Sequence, residues 1–181
     1  MTVYVGLLRA VNLGGETQVR MDDLRSILSR MGFEGVRSLL QSGNVIFRTD
    51  ERNGPALEKR IEDRLAQEFG RRTDVFLRTA EAWDEIVRGN PFPHEAKAAP
   101  NHLVVAVLKE SPPSEGWKNL ENAIVGRERV RAGGRHAYIA YPDGIGRSRL
   151  TAALIEKHLK TRGTSRNWNT VARLAALSSA P

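Results

Sequence analysis

An antiparallel α+β fold in two halves is what this sequence of 181 residues predicts, on three observations. Apolar runs of strand length alternate with segments of helical period. Short Gly-containing pairs join neighbouring strands as hairpins. A βαββα order of elements occurs once before residue 78 and again after it.

Val3 to Arg9 is apolar on both faces, as a strand with neighbours on both sides requires, and it runs into the loop Asn12-Leu13-Gly14-Gly15. Met21, Leu24, Ile27, Leu28 and Met31 fall at helical spacing, Asp22, Asp23, Arg25 and Arg30 take the other face, and Gly32 stops the helix. Residues 36–41 and 44–49 are two strands around Ser42-Gly43. Gly54-Pro55 opens a second helix whose Leu57, Ile61, Leu65 and Phe69 form an i, i+4 stripe, and Gly70 closes it. Asp74 to Arg78 is a fourth strand. The order βαββαβ is the split-βαβ, or ferredoxin-like, plait, four antiparallel strands with two helices on one face. Its other face is expected to be open, and Val3, Val5, Leu7, Val45 and Phe47 are expected in its core.

Thr79 is placed to cap a helix carrying Trp83, Ile86 and Val87, which ends before Asn90-Pro91-Phe92-Pro93 because proline cannot continue it. Positions 90–100 read as a linker. Beyond them come a strand over 101–109, a short helix over 114–122, a hairpin of 127–132 and 135–141 around Gly133-Gly134, a helix over 148–160 and a last helix over 168–177. The sequence therefore divides into a ferredoxin-like domain, 1–78, and a second α+β domain, 79–181, of order αβαββαα. The second is read as a degenerate copy of the first with an extra C-terminal helix.

Charge is distributed unevenly between these parts. Residues 126–181 hold eleven Lys/Arg against three acids, a net of +8, while the other 125 residues come out at −1. A one-sided positive field favours anionic partners: phosphates, nucleic acid or anionic surfaces. No apolar run approaches the ~20 residues that span a bilayer, so no membrane partner is expected. Met1 to Val5 run into an apolar stretch without a basic leader, so no secretory signal is expected. With no cysteine in the sequence, disulfides, thiol catalysis and thiolate metal sites are excluded, and a cytoplasmic location fits.

Three places could carry function. In the hairpin, Arg127, Arg129 and Arg131 alternate onto one face. With a two-residue turn Arg131 lies opposite His136 and Arg129 opposite Tyr138, giving guanidinium and ring side by side, the equipment for phosphate contact with base stacking. The plain alternative is a solvated strand face. Two glycine loops, Asn12 to Gly15 and Asp143 to Ser148, let backbone approach an anion, although neither is a nucleotide fingerprint and turns alone would explain them. The tail Arg166-Asn167-Trp168-Asn169 starts a helix that needs one capping amide and has two. Other chemistries fail on inventory. The four histidines are scattered, with no metal-ligand spacing, and no G-x-S-x-G nucleophile elbow occurs. No metal and no cofactor are expected.

LRAVNLGG (Leu8 to Gly15), QSGN (Gln41 to Asn44), NPF (Asn90 to Phe92), YPDGIGRSRL (Tyr141 to Leu150) and TSRNWNTV (Thr164 to Val171) occur in this order. On these motifs the chain resembles the bacterial family called domain of unknown function 1697. It departs from the family pattern only at Ala10, where Gly is usual, and Ser165, where Ala or Gly is common. The resemblance implies ferredoxin-like halves and no known activity, and it singles out Arg9, Asn12, Gly14, Gly15, Gln41, Ser42, Gly43, Asn44, Arg166, Asn167, Trp168 and Asn169 as motif positions. The expectation is an anion-binding protein with nucleic acid as the leading partner. The alternative is a small metal-independent enzyme whose pocket gathers Arg9, Asn12, Gln41, Asn44, Arg166 and Asn169 around an anionic metabolite. Oligomeric state is left open.

Overall fold

In the computed structural model, residues 1–9 and 19–179 are described. The chain divides into two compact units, Met1–Glu85 with Leu174–Pro181, and Ile86–Arg173.

The first unit carries β1 (Thr2–Leu8), α1 (Met21–Arg30), β2 (Glu34–Leu39), β3 (Asn44–Thr49), α2 (Gly54–Phe69) and β4 (Val75–Thr79). The strands lie in the order β2-β3-β1-β4, antiparallel throughout, so β1 is central as its two apolar faces require. Alternation along the strands sends Tyr4, Leu8, Val45, Phe47 and Leu77 to one face, where they pack with Leu24, Leu28, Leu57, Ile61 and Leu65 of the helices. Gly6 lies on that face because a Cβ there would come within 2.9 Å of a Val45 methyl. Asn53 caps α2, accepting from the Ala56 N–H at 3.2 Å, and Gly70 ends it at φ +68°. The opposite face is not the open platform the sequence suggests. Val5, Leu7, Ile46 and Phe76 are at most 2 % exposed, so a central apolar strand keeps both its faces out of water. Of the five expected core residues only Val3, near the start of β1, is merely half-buried.

Helix α3 (Ala80–Arg88) begins where the Thr79 hydroxyl accepts from the Ala82 N–H. The second unit then carries α4 (Pro93–Ala98), β5 (Leu103–Leu108), α5 (Ser114–Ala123), β6 (Arg129–Ala132), β7 (His136–Ala140), α6 (Ala152–Leu159), β8 (Gly163–Asn167) and the start of α7 (Trp168–Ser178). Its sheet has the order β6-β7-β5-β8. Three expectations are corrected. Positions 90–100 are not a plain linker, since they contain α4. Helix α6 starts at 152 rather than 148, because the Thr151 side chain caps it through the Leu154 N–H and Ile145–Arg147 forms a separate 3-10 turn. And β8 has no apolar residue to announce it: the segment Gly163 to Asn167 pairs with β5 at a sheet edge and buries only Thr164. With β8 included, the second unit is itself βαββαβ.

The two units repeat one another in detail. In each, one register row crosses the sheet with arginine at both ends, Arg37–Ile46–Val5–Arg78 in the first and Arg131–Tyr138–Val105–Arg166 in the second. The amide of Leu8 donates to the Gly43 carbonyl (2.8 Å) and that of Arg9 to Asp74 (2.9 Å). Leu108 donates to Arg135 and Lys109 to Arg162, both at 2.9 Å. A glutamate of the second helix accepts from the first N–H of the fourth strand in both, Glu62 from Val75 and Glu156 from Gly163, again at 2.9 Å. Shared strand order alone is common in this fold class. The coincidence of Arg rows and glutamate clamps supports descent of both halves from one unit.

Candidate functional site

In the first unit the described motif residues, Arg9 and Gln41 to Asn44, lie at one end of the sheet. Leu40 to Gly43 turn β2 into β3, a four-residue connection longer than the Ser42-Gly43 pair alone, with Leu40 at φ +61° and Gly43 at φ +74°. A left-handed conformation costs an ordinary side chain about 1–2 kcal/mol, and Leu40 is half exposed, so packing is not what holds it there. Asn44 is: fully buried, it donates through Nδ2 to the Leu39 carbonyl (2.9 Å) and to Ser42 Oγ (2.8 Å). That fixes the tip from within and sets the Ser42 hydroxyl to donate through its own O–H. Gly43 is tied to β1 through Leu8, while Gln41 and Ser42 are exposed. Arg9 follows β1 directly, about one-third exposed, with Nη1 3.8 Å from Asp74 Oδ2 and its carbonyl accepting from the Thr73 hydroxyl at 2.8 Å. Asn12, Gly14 and Gly15 lie outside the described residues. The described part thus places a guanidinium at the end of β1 and an amide and a hydroxyl on the turn tied to that strand, a donor set suited to an anion.

The tail motif lies at the β8–α7 junction of the second unit. Asn167 is the cap, its Oδ1 accepting from the Thr170 N–H at 3.1 Å. Asn169, the amide that capping does not explain, donates instead to Asn101 Oδ1 at 2.9 Å. Arg166 donates to Thr164 Oγ1 and to the Ser165 carbonyl, both at 2.9 Å. Burial pushes its pKa down to about 10, which leaves it charged at neutral pH. Trp168 is half-buried.

The hairpin puts Arg129, Arg131, His136 and Tyr138 on one face, but its register differs from a two-residue turn. Ala132 pairs with Ala137, so Arg131 stands opposite Tyr138 and Arg129 opposite Ala140. The connection spans residues 133–135 and closes with the Gly133 N–H on the His136 carbonyl. Tyr138 is 4 % exposed and its hydroxyl donates to the Ile86 carbonyl at 2.8 Å, so its ring offers no stacking surface. His136 meets it edge-on at 5.0 Å. The arginines are tethered: Arg127 to Asp143 through Nε at 2.9 Å, Arg129 to Glu95 and over the Phe92 ring, Arg131 over the same ring at 6.0 Å. Asp143 is held below the usual carboxylate range by the Arg127 hydrogen bond. For Glu95 a backbone hydrogen bond does this first, with Arg129 adding to it. The NPF motif has a structural role here, since Asn90 Oδ1 accepts from the Phe92 N–H (2.9 Å) and sets that ring beneath the two arginines.

Sequence reasoning missed two charged clefts. A groove of about 560 Å³ between α1 and α2 is lined by Arg30, Lys59, Arg60 and Arg64 with Asp63. Its i, i+4 pairs Lys59–Asp63 and Arg64–Glu68 read in sequence as an ordinary solvated face. A cleft of about 310 Å³ in the second unit lies among Lys109, Glu110, Glu156, Lys160, Thr161 and Arg162, and the unrecognised β8 hid it. Among the described residues no group of three His, Cys, Asp or Glu is placed to hold a metal ion, and no helix is long and apolar enough to cross a membrane.

A family model described as a protein of unknown function, DUF1697, matches residues 1–138. The motifs at 141–150 and 164–171 fall beyond that stretch. No curated protein matches the chain. The solved structure of the conserved bacterial protein SP0830 from Streptococcus pneumoniae is similar to it over 98 % of this chain and 99 % of that one, with a TM-score of 0.77 at 19 % identity. At that identity the likeness is one of fold.

Proposed function

We propose that this chain, which belongs to the DUF1697 family, binds a small phosphate- or carboxylate-bearing molecule at the end of its N-terminal sheet. The observation that carries the reading is Asn44: a fully buried amide spent on fixing a strained, exposed turn beside an arginine. Strain held in place at a surface loop is a mark of functional sites. Arg9 supplies charge, Gln41 and Ser42 supply donors, and Asn12, Gly14 and Gly15 are assigned to the same ligand as family motif positions close to Arg9 in the sequence. In the second unit Arg166 and Asn169 carry the same groups, a guanidinium and a primary amide, within one sequence motif. The reading assigns binding and no reaction. Calorimetric titration of inorganic phosphate, pyrophosphate and citrate tests it. Saturable binding of at least one, weakened tenfold or more in Arg9→Ala and in Gln41→Ala, is expected. Binding to none, or binding indifferent to both variants, would overturn it.

The charge of residues 126–181 favours a second reading, nucleic acid held by its phosphates. Arg127, Arg129 and Arg131 are exposed on the edge strand and its approach, where a backbone could follow them. Tyr138 adds no stacking to this reading, so affinity would be almost wholly electrostatic. Log K for single-stranded RNA should then fall by about 0.7 per phosphate contact per decade of salt, and replacing the three arginines by Gln should flatten the slope by about two. Anisotropy titrations at two salt concentrations measure this, and an unchanged slope in the triple variant would remove the reading.

A further inference from the structure

The internal repeat assigns the second unit a sheet end equivalent to the Arg9 site. Matching amide bonds place Lys109 where the first unit has Arg9 and Arg162 where it has Asp74. Thr161 matches Thr73, each hydroxyl bonding backbone at the end of its unit's first strand. The substitution at the Asp74 position reverses the local charge. In the first unit a carboxylate stands 3.8 Å from the arginine. In the second, that place holds a guanidinium, and Lys160 joins it where α6 ends in a left-handed residue at φ +54°. These side chains line the cleft of about 310 Å³, at the small end of the ligand-pocket range and far below what a dinucleotide fills. Two carboxylates also line it. Glu156 accepts from the Gly163 N–H at 2.9 Å as the sheet clamp, and Glu110 follows Lys109 with its own amide on the Thr161 hydroxyl.

We propose that this cleft is a second anion site, taking a compact diphosphate-sized group between Lys109, Lys160 and Arg162, with the Thr161 segment along one wall. The inference extends the reading of the Arg9 site to its counterpart, but the two are measured on different residues. The experiment is an amide-resolved NMR titration of the full chain with sodium pyrophosphate against sodium chloride at matched ionic strength. Saturable shifts at Lys109, Glu110, Thr161 and Arg162 that chloride does not reproduce are expected. They should weaken tenfold or more in Lys109→Ala/Arg162→Ala and persist in Arg9→Ala, whose own losses would fall at Gln41 to Asn44. Unchanged amide positions elsewhere in the double variant show that it folds. Should it fail to fold, Lys160→Gln on the exposed helix end takes its place, with at least threefold weakening expected. No saturable shift at 109–110 and 161–162, equal shifts with chloride, or binding indifferent to these variants would overturn the site while leaving the Arg9 reading to its own test.

Discussion

Replacing Asn44 by Ala removes two hydrogen bonds from a side chain that is 0 % exposed. One goes to a main-chain carbonyl and one to a hydroxyl, at 2.9 and 2.8 Å. Each bond contributes about 0.5–1.5 kcal/mol net, and leaving the Leu39 carbonyl without its donor adds about 1 kcal/mol more. The strain at Leu40, about 1–2 kcal/mol in a residue this exposed, is then no longer held by the tip. A loss of roughly 2–4 kcal/mol follows, which for a chain of this size lowers Tm by about 4–16 °C. Ser42→Ala leaves the Leu39 bond intact and should cost only about 1 kcal/mol. Paired thermal and urea denaturation of the two variants gives the comparison. An Asn44→Ala loss below about 0.5 kcal/mol, or one no larger than that of Ser42→Ala, would refute the claim that this amide holds the turn.

Leu40→Asn should be neutral or stabilise by about 0.5 kcal/mol, because Asn tolerates the left-handed region; a loss above 1 kcal/mol in urea unfolding would show that the leucine packs. Removing the sheet clamp in either half, Glu62→Ala or Glu156→Ala, should cost about 1.5 kcal/mol each, as expected for charge-assisted bonds to part-buried N–H groups, and equal urea-derived losses would support the repeat. Tyrosine ionisation should lag behind that of the unfolded chain, Tyr141 most of all. Burial raises all three tyrosines, Tyr141 to about 12, whereas the unfolded chain ionises near 10. Stability is therefore full below pH 10 and lost as pH rises toward 12, and absorbance at alkaline pH should show Tyr141 ionising only together with loss of the fold.

Much of the architecture was legible because apolar periodicity is a direct record of burial. The β1, β3, α2 and β5 segments are strongly patterned, and they lie where the pattern puts them. The edge strand β8 was not legible. An edge strand buries one residue in five here, so Gly163 to Asn167 carries no alternation to read. The face opposite the helices was misjudged because the element order alone suggests an open platform, whereas Val5 and Leu7, expected in the core, already pointed to a covered face. At the candidate sites, residue type indicated chemistry and could not indicate partners. Arg127 and Arg129 looked available until Asp143 and Glu95, 16 and 34 positions away, were found bound to them. Conversely, nothing local marks Asn44 as buried. The QSGN string shows a turn, and only the fold shows which of its amides is internal.

The claim that the end of the N-terminal sheet is an anion site is tested most directly by soaking crystals in tungstate, a heavy phosphate analogue, and locating it by anomalous scattering. A peak within about 4 Å of the Arg9 guanidinium and the Gln41–Ser42 tip, at hydrogen-bonding range for a charge-assisted contact, and absent from Arg9→Ala crystals, is the expected result. Tungstate found only on the arginines of the 127–131 hairpin, or nowhere near Arg9 at saturating concentration, would contradict it.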